Sequence, residues 1–286
     1  MRIGGNALSH IKTFFEQELI SSYTADEIRV LFRLAAGEIN QVSHLSLHLN
    51  PEQRVSESDL LKYSAWVKRL KSGEPVQYIM GFTWFMDLKI GVNPSVLIPR
   101  PETEELVHLC VSFLNERASA YVLDACSGSG CIALGIKSMF QTAHVWACDV
   151  SPEALETAAS NGRNLNLEVE WQHVDITKAH IWNTSFDLMV SNPPYIPASE
   201  AQNLKPQVKD FEPSVALFVP NDDALLFYRH LAQMALQLLL PKGMLAVEVH
   251  YDAAQKVAAL FSEHGLNEVS VARDMQGHER FVTAFR

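Results

Sequence analysis

The chain has 286 residues, a formal net charge of −10 from 23 basic and 33 acidic side chains, and 48% hydrophobic residues. That length suits one large or two modest domains and buries roughly three quarters of the unfolded surface, so no disulfide or metal staple is required. The composition excludes broad disorder, and no apolar run approaches the ~18 residues of a membrane span. The first residues lack a basic start followed by an apolar core, so neither a secretory signal nor a membrane association is expected. The four cysteines, at 110, 126, 131 and 148, show no CxxC spacing and no disulfide framework. They predict a reducing, cytoplasmic setting and no metal centre. The acidic balance opposes a general polyanion binder, because affinity for a phosphate backbone comes from clustered Lys and Arg.

The charge is unevenly spread. Residues 1–78 carry nine basic and nine acidic side chains, so residues 79–286 carry the whole −10. Only helical signals occur from Ala7 to Leu70. Ile11, Phe14, Phe15 and Leu19 form a helical apolar stripe. Thr24-Ala25-Asp26-Glu27 reads as a capping box ahead of Ile28, Leu31 and Phe32. Ser56 to Asp59 starts another helix through Leu60, Ala65, Trp66 and Leu70, and Lys71-Ser72-Gly73 stops it. A small helical bundle over residues 1–73 is predicted. His44 and His48 are four apart, but no third ligand is near, so an exposed or capping role is expected.

Beyond Glu74-Pro75 the pattern alternates from Tyr78 to Val92, which predicts a β-hairpin within a linker at 74–93. Strands and helices then take turns over 94–286. Strands are expected at Tyr121–Ala125, His144–Asp149, Val169–Val174, Phe186–Ser191 and Gly243–Val249. Helices are expected at Cys131–Met139, Pro152–Leu165, Ala224–Leu240 and Ala253–His264. This alternation predicts a doubly wound, mostly parallel α/β sheet with helices on both faces. The last two strands, near Val269–Ala272 and Phe281–Phe285, have no helix between them, so they form a hairpin and one sheet edge is antiparallel.

The strand ending at Asp124 runs into Cys126-Ser127-Gly128-Ser129-Gly130, and a helix begins at Cys131. Open α/β sheets bind ligands at the carboxyl ends of their strands, and a helix N-terminus offers unpaired N–H groups. Asp149 ends the next strand, 19 residues past Gly130, where a carboxylate accepts hydrogen bonds from two ribose hydroxyls. Together these point to a nucleoside-bearing cofactor; the alternative is a tight turn without a ligand. The missing third glycine of G-x-G-x-x-G argues against a dinucleotide. Asp175 is either an acceptor for an adenine amino group, with Ile176 over the ring, or a turn residue.

The strand Phe186–Ser191 ends in Asn192-Pro193-Pro194-Tyr195. Two adjacent prolines fix two φ angles and stop the strand. The Asn192 side-chain oxygen and the Pro193 carbonyl are two convergent acceptors, suited to an NH2 group on a planar conjugated carbon. Tyr195 adds a face for that plane to stack on. Holding both hydrogens aims the nitrogen lone pair at an electrophile without a strong base. An amide and an adenine amino group both fit.

With these motifs in place, the chain resembles the class I S-adenosylmethionine-dependent methyltransferases. Within them it is similar to the bacterial protein-(glutamine-N5) methyltransferases that modify peptide chain release factors. Residues 73–81 (Gly-Glu-Pro-Val-Gln-Tyr-Ile-Met-Gly), the run from Val96 to Glu104, Asp124–Gly130, Ser191–Tyr195, Glu212-Pro213 and Phe227-Tyr228-Arg229 carry the resemblance. It implies a seven-stranded Rossmann-like catalytic domain and a helical substrate-recognition domain. It implies S-adenosylmethionine as donor, with S-adenosylhomocysteine as product. The donor would be contacted by the 126–130 loop, Asp149, Asp175 or Ile176, and Asn192. The acceptor would be the glutamine of the release factor's Gly-Gly-Gln loop, held by residues 192–195, with Asn192, Pro193 and Tyr195 at the reacting amide. A glutamine of a ribosomal protein and, less well, a DNA adenine amino group are the alternative acceptors; no stable nucleic acid complex and a monomer are expected. Cys126 stands where the family usually has glycine, Leu217–Asp222 lacks the usual glycines, and Glu248–Asp252 follows the family pattern only in part.

Overall fold

The computed structural model describes residues 3–115 and 117–286. The chain forms two compact units, Met1–Met80 and Gly81–Arg286, each around its own apolar core.

The first unit is all helical: α1 (Leu8–Leu19), α2 (Ala25–Asn40), α3 (His44–Leu49), α4 (Glu57–Lys71) and α5 (Val76–Met80). The capping box forms at α2: Glu27 N–H donates to Thr24 Oγ1 at 3.3 Å, and Thr24 N–H donates to Glu27 Oε2 at 2.7 Å. Ser56 caps α4 by its side chain alone, its Oγ accepting from Asp59 N–H. These caps satisfy N–H groups that the first helical turn leaves over. The apolar stripes meet at Phe15, whose ring lies edge-on to Phe32 and Tyr63. The buried Tyr63 hydroxyl donates to Asn40 Oδ1, and Asn40 Nδ2 donates to Asp59, so the polar atom that enters the core is satisfied. His44 and His48 pair with each other at 3.1 Å on the surface, and no group of three or more metal-ligating side chains occurs among the described residues.

The expected hairpin is shorter than its alternation suggested. Pro75 opens a helical turn, its carbonyl accepting from Tyr78 and Ile79 N–H, and Ile79 packs into the helical core. Strands β1 (Phe82–Phe85) and β2 (Leu88–Gly91) follow, joined by Met86 and Asp87 at φ +50 and +62. A two-residue turn with both φ positive matches strand twist. Met86 holds it without a glycine, its N–H bonded to Glu104 Oε1 at 2.9 Å.

The remainder runs α6 (Pro101–Leu114), β3 (Ala120–Ala125), α7 (Cys131–Met139), β4 (Ala143–Asp149), α8 (Pro152–Leu165), β5 (Glu170–His173), β6 (Phe186–Ser191) and β7 (Ile196–Pro197). It continues through α9 (Pro206–Lys209), α10 (Ser214–Leu217), β8 (Phe218–Val219), α11 (Leu226–Leu238), β9 (Leu239–Glu248), α12 (Ala254–Glu263), β10 (Asn267–Arg273) and β11 (Glu279–Phe285). Seven strands form one sheet in the order β10-β11-β9-β6-β3-β4-β5. All neighbours are parallel except β11, which runs antiparallel to both β9 and β10. The chain steps from β3 to β4 to β5, then returns to place β6 on the other side of β3. The carboxyl ends of β3 and β6 therefore flank a topological switch point, where crossover loops part and leave a crevice.

Candidate active site

A cavity of about 360 Å³ opens at this switch point, within the range of small-molecule sites. Its floor is the loop after β3. Cys126 sits at φ +62, Gly128 at +53 and Gly130 at +79. Three left-handed residues in five turn the backbone sharply from strand to helix. Cys126 thus occupies a conformation that suits glycine, at a strain cost of about 1–2 kcal/mol. Gly130 is confined from outside as well: a Cβ there would meet Trp171 Cη2 at 2.6 Å. Asn161 of α8 fastens the loop, donating to Ser129 O at 2.9 Å and exchanging two hydrogen bonds with Gly91 of the hairpin.

Two buried polar atoms of this loop region lack a partner among the described residues: Ser127 Oγ, in the cavity wall, and Asp124 Oδ1 behind it. Burial holds the Asp124 carboxyl well above the usual carboxylate range. Its other oxygen caps α7 by accepting from Ala133 N–H at 3.0 Å. Asp149, at the end of β4, accepts from Gly128 N–H at 2.8 Å and from Ser151 N–H at 2.9 Å, and the Val150 N–H also favours its charge. A carboxylate has about four acceptor sites, so it keeps capacity for a ligand hydroxyl. Burial raises this carboxyl too, partly offset by those backbone donors. Asp175 is held below its ordinary value, chiefly by the Thr177 hydroxyl that it binds at 2.6 Å. It closes a turn and, with Ile176, lines the cavity.

The other wall is built from the end of β6. Asn192 lines the cavity beside Pro194. Its Nδ2 donates to Thr103 Oγ1 at 3.3 Å and reaches Glu248, and the Thr103 hydroxyl donates to Glu248 Oε2 at 2.7 Å. Glu248, at the end of β9, is 2% exposed, and burial pushes its carboxyl up to about 7 against the bonds from Thr103 and Asn192. Tyr195 lies beside His250, ring centroids 6.2 Å apart, and burial raises its phenol to about 12. Arg100 binds the buried Glu212 carboxylate at 2.6 Å, and Ile98 N–H donates to the same carboxylate. That pair ties the segment before α6 to the loop that follows Asn192.

Of the residues singled out from sequence, Cys126, Ser127, Gly128, Ser129, Asp149, Asp175, Ile176, Asn192 and Pro194 line one cavity. Gly130, Pro193 and Tyr195 do not; Gly130 faces Trp171 and Ala158, and Tyr195 faces His250. Thr103, Glu248, Arg100, Glu212 and Asn161 had no role assigned from sequence. Their partners lie between 32 and 145 residues away, beyond any local pattern.

A doubly wound sheet of this order, with a glycine loop at its switch point and an acid ending the adjoining strand, defines a class I methyltransferase. The Methyltransferase small domain model matches residues 105–208, and the PrmC N-terminal domain model matches residues 6–81. A methyltransferase structure from Pyrococcus furiosus superposes with a TM-score of 0.50 over 69% of this chain and 88% of its own, at 20% identity, which shows the shared fold. The release factor glutamine methyltransferase of Bacteroides thetaiotaomicron is 35% identical over 98% of this chain and 100% of its own length. That of Flavobacterium psychrophilum is 32% identical over 96% and 98%. The chain belongs to the release factor glutamine methyltransferase family.

Proposed function

We propose that the protein transfers a methyl group from S-adenosylmethionine to the side-chain amide nitrogen of the glutamine in the Gly-Gly-Gln loop of a peptide chain release factor. One observation carries this reading above the rest. Asn192 is an amide whose NH2 end is engaged by Thr103 and Glu248, and it lines the same cavity as the glycine loop. Its Oδ1 is thereby left to accept from an NH2 group brought into that cavity.

The residues present fit the donor. Ser127 Oγ is a buried hydroxyl in the cavity wall without a partner among the described residues, and the Asp149 carboxylate keeps acceptor capacity for ribose hydroxyls. Asp175 and Ile176 would flank the base. When bound, S-adenosylmethionine supplies an electrophilic methyl carbon whose bond to a sulfonium sulfur breaks as the carbon–nitrogen bond forms. The protein's own contribution is positional. Asn192 and the Pro193 carbonyl would hold the two amide hydrogens, which turns the nitrogen lone pair out of conjugation. Tyr195 would confine the acceptor side chain laterally. The nitrogen loses its extra proton after it is methylated, so no strong base is needed beside it.

The helical unit matches the PrmC N-terminal domain model, and its proposed role is to recognise the body of the release factor outside the reacting loop. A translation factor as acceptor supports a cytoplasmic setting for the reaction. Incubation with methyl-labelled donor and, separately, release factor, ribosomal proteins or DNA tests the reading. Label is expected in the release factor; label confined to either other acceptor overturns it.

A further inference from the structure

We propose that Glu248 and Thr103 form a relay that sets which end of the Asn192 amide faces the acceptor, so that turnover depends on the ionisation of Glu248. This rests on the proposed glutamine methylation. Glu248 is not among the residues lining the cavity, so it acts through Asn192 and is a positioning residue.

Donor and acceptor counts decide which end of Asn192 meets which partner. An asparagine amide has an acceptor end and a donor end of nearly equal shape, and only hydrogen bonds distinguish them. Thr103 spends its one proton on Glu248 Oε2, 2.7 Å away. Its remaining capacity is as an acceptor, which the Asn192 Nδ2 donor meets at 3.3 Å. The ionised carboxylate, which can only accept, also takes a bond from Asn192. Both partners thus require the NH2 end, and Oδ1 is presented to the cavity. Protonated Glu248 becomes a donor. The Thr103 hydroxyl can then be an acceptor toward Glu248 and a donor toward Asn192. That favours the flipped amide, whose NH2 end would oppose the NH2 of the acceptor.

The pocket around the carboxylate makes the switch accessible near neutrality. Burial disfavours its charge and Glu102 adds like charge, while Arg280 and the bonds from Thr103 and Asn192 favour it, with the result near 7. Tyr195, Tyr228 and Cys131 also face it, and none of them titrates in that range, all three being raised by burial. Turnover is therefore expected to rise with pH through about 7, as the carboxylate forms. Stability carries the opposite sign. A carboxyl whose folded value is raised favours the fold when protonated, and that contribution is lost as pH rises through the folded value.

The full chain is tested as Glu248→Gln, which keeps shape and removes charge, and as Thr103→Val against Thr103→Ser. Glu248→Gln is expected to lower kcat at pH 8 by about 10–100-fold with little change in donor KM, as for other losses of orientation. It should also flatten the pH profile near 7 and raise the urea midpoint at pH 8. Thr103→Val should lower kcat similarly, and Thr103→Ser should restore it. The Asn192 side-chain NH2 resonances, read without any acceptor, should titrate near 7 in the wild type and stay constant in Glu248→Gln. Loss of both kcat and stability with an unchanged pH profile would show a merely structural residue and overturn the proposal. So would Asn192 resonances that do not titrate. Failure to methylate glutamine with those resonances still titrating would instead count against the acceptor assignment and leave the relay standing.

Discussion

Gly130→Ala perturbs the point where the strand becomes the helix of the donor site. Two costs add there. The residue lies at φ +79, where a Cβ costs about 1–2 kcal/mol. That Cβ would also stand 2.6 Å from Trp171 Cη2 and 3.1 Å from Ala158 Cβ, so a packed ring must move, which costs about 1–3 kcal/mol. The stiffer unfolded chain of an alanine variant returns about 0.4–1 kcal/mol. The net loss is about 3 kcal/mol, or roughly 6–12 °C in Tm for a unit of this size. Gly128→Ala is the control. It lies at φ +53 with nothing within 4 Å of its Cβ, so only strain and chain stiffness apply. Its net loss is about 0.5–1.5 kcal/mol. Urea unfolding of both variants at one pH, followed by circular dichroism, measures the difference. Equal losses would refute the claim that Gly130 is held by contact with Trp171 and return it to an ordinary flexible turn.

Three other perturbations separate the roles of neighbouring residues. Asn192→Ala should cut turnover by about 10²–10³ and leave donor affinity nearly intact, whereas Asp149→Ala should weaken donor binding about 10–100-fold by calorimetry. Equal effects on both quantities would merge the two roles. Cys126→Gly should be more stable than Cys126→Ala by about 1 kcal/mol, since both lose the sulfur and only glycine accepts φ +62 without strain; the reverse order in urea would contradict the strain. Arg100→Ala should cost about 3 kcal/mol, because the Glu212 carboxylate then keeps, among the described residues, only the Ile98 N–H as partner in a buried site. Glu212→Gln in the same chain should recover much of that loss, and no recovery would place the cost elsewhere.

The parts of the molecule visible in sequence are those with local signatures. The capping box at Thr24 and Glu27 and the Ser56 cap form as their spacing predicts. The strand-helix alternation gives the seven-stranded sheet, and the helixless gap between the last two strands gives antiparallel β11. What stayed hidden depends on distant pairing. Thr103 and Glu248 are 145 residues apart, and Arg100 and Glu212 are 112 apart. Each side chain looks ordinary in its own window. Asn161 alone left a faint trace, a polar side chain at a buried helix position that must find partners, here Gly91 and Ser129. The expected hairpin forms, but its turn carried little local signal. Met86 is a poor residue for positive φ, and the Glu104 carboxylate that holds it comes from the next helix. Helix α6 had usable signals, with Pro101 at its first position and Leu106, Val107, Cys110, Val111 and Leu114 buried along one side. Its opening residues drew notice as a motif rather than as a helix start.

The central claim is that this cavity methylates the side-chain amide of one glutamine. Mass mapping of a release factor after incubation with S-adenosylmethionine and the protein tests it most directly. The account predicts one added methyl group, on the glutamine of the Gly-Gly-Gln loop, and about 10²–10³-fold slower modification when Asn192→Ala replaces the wild type. A methyl group on another residue type, or modification by the Asn192→Ala variant at the wild-type rate, would contradict it.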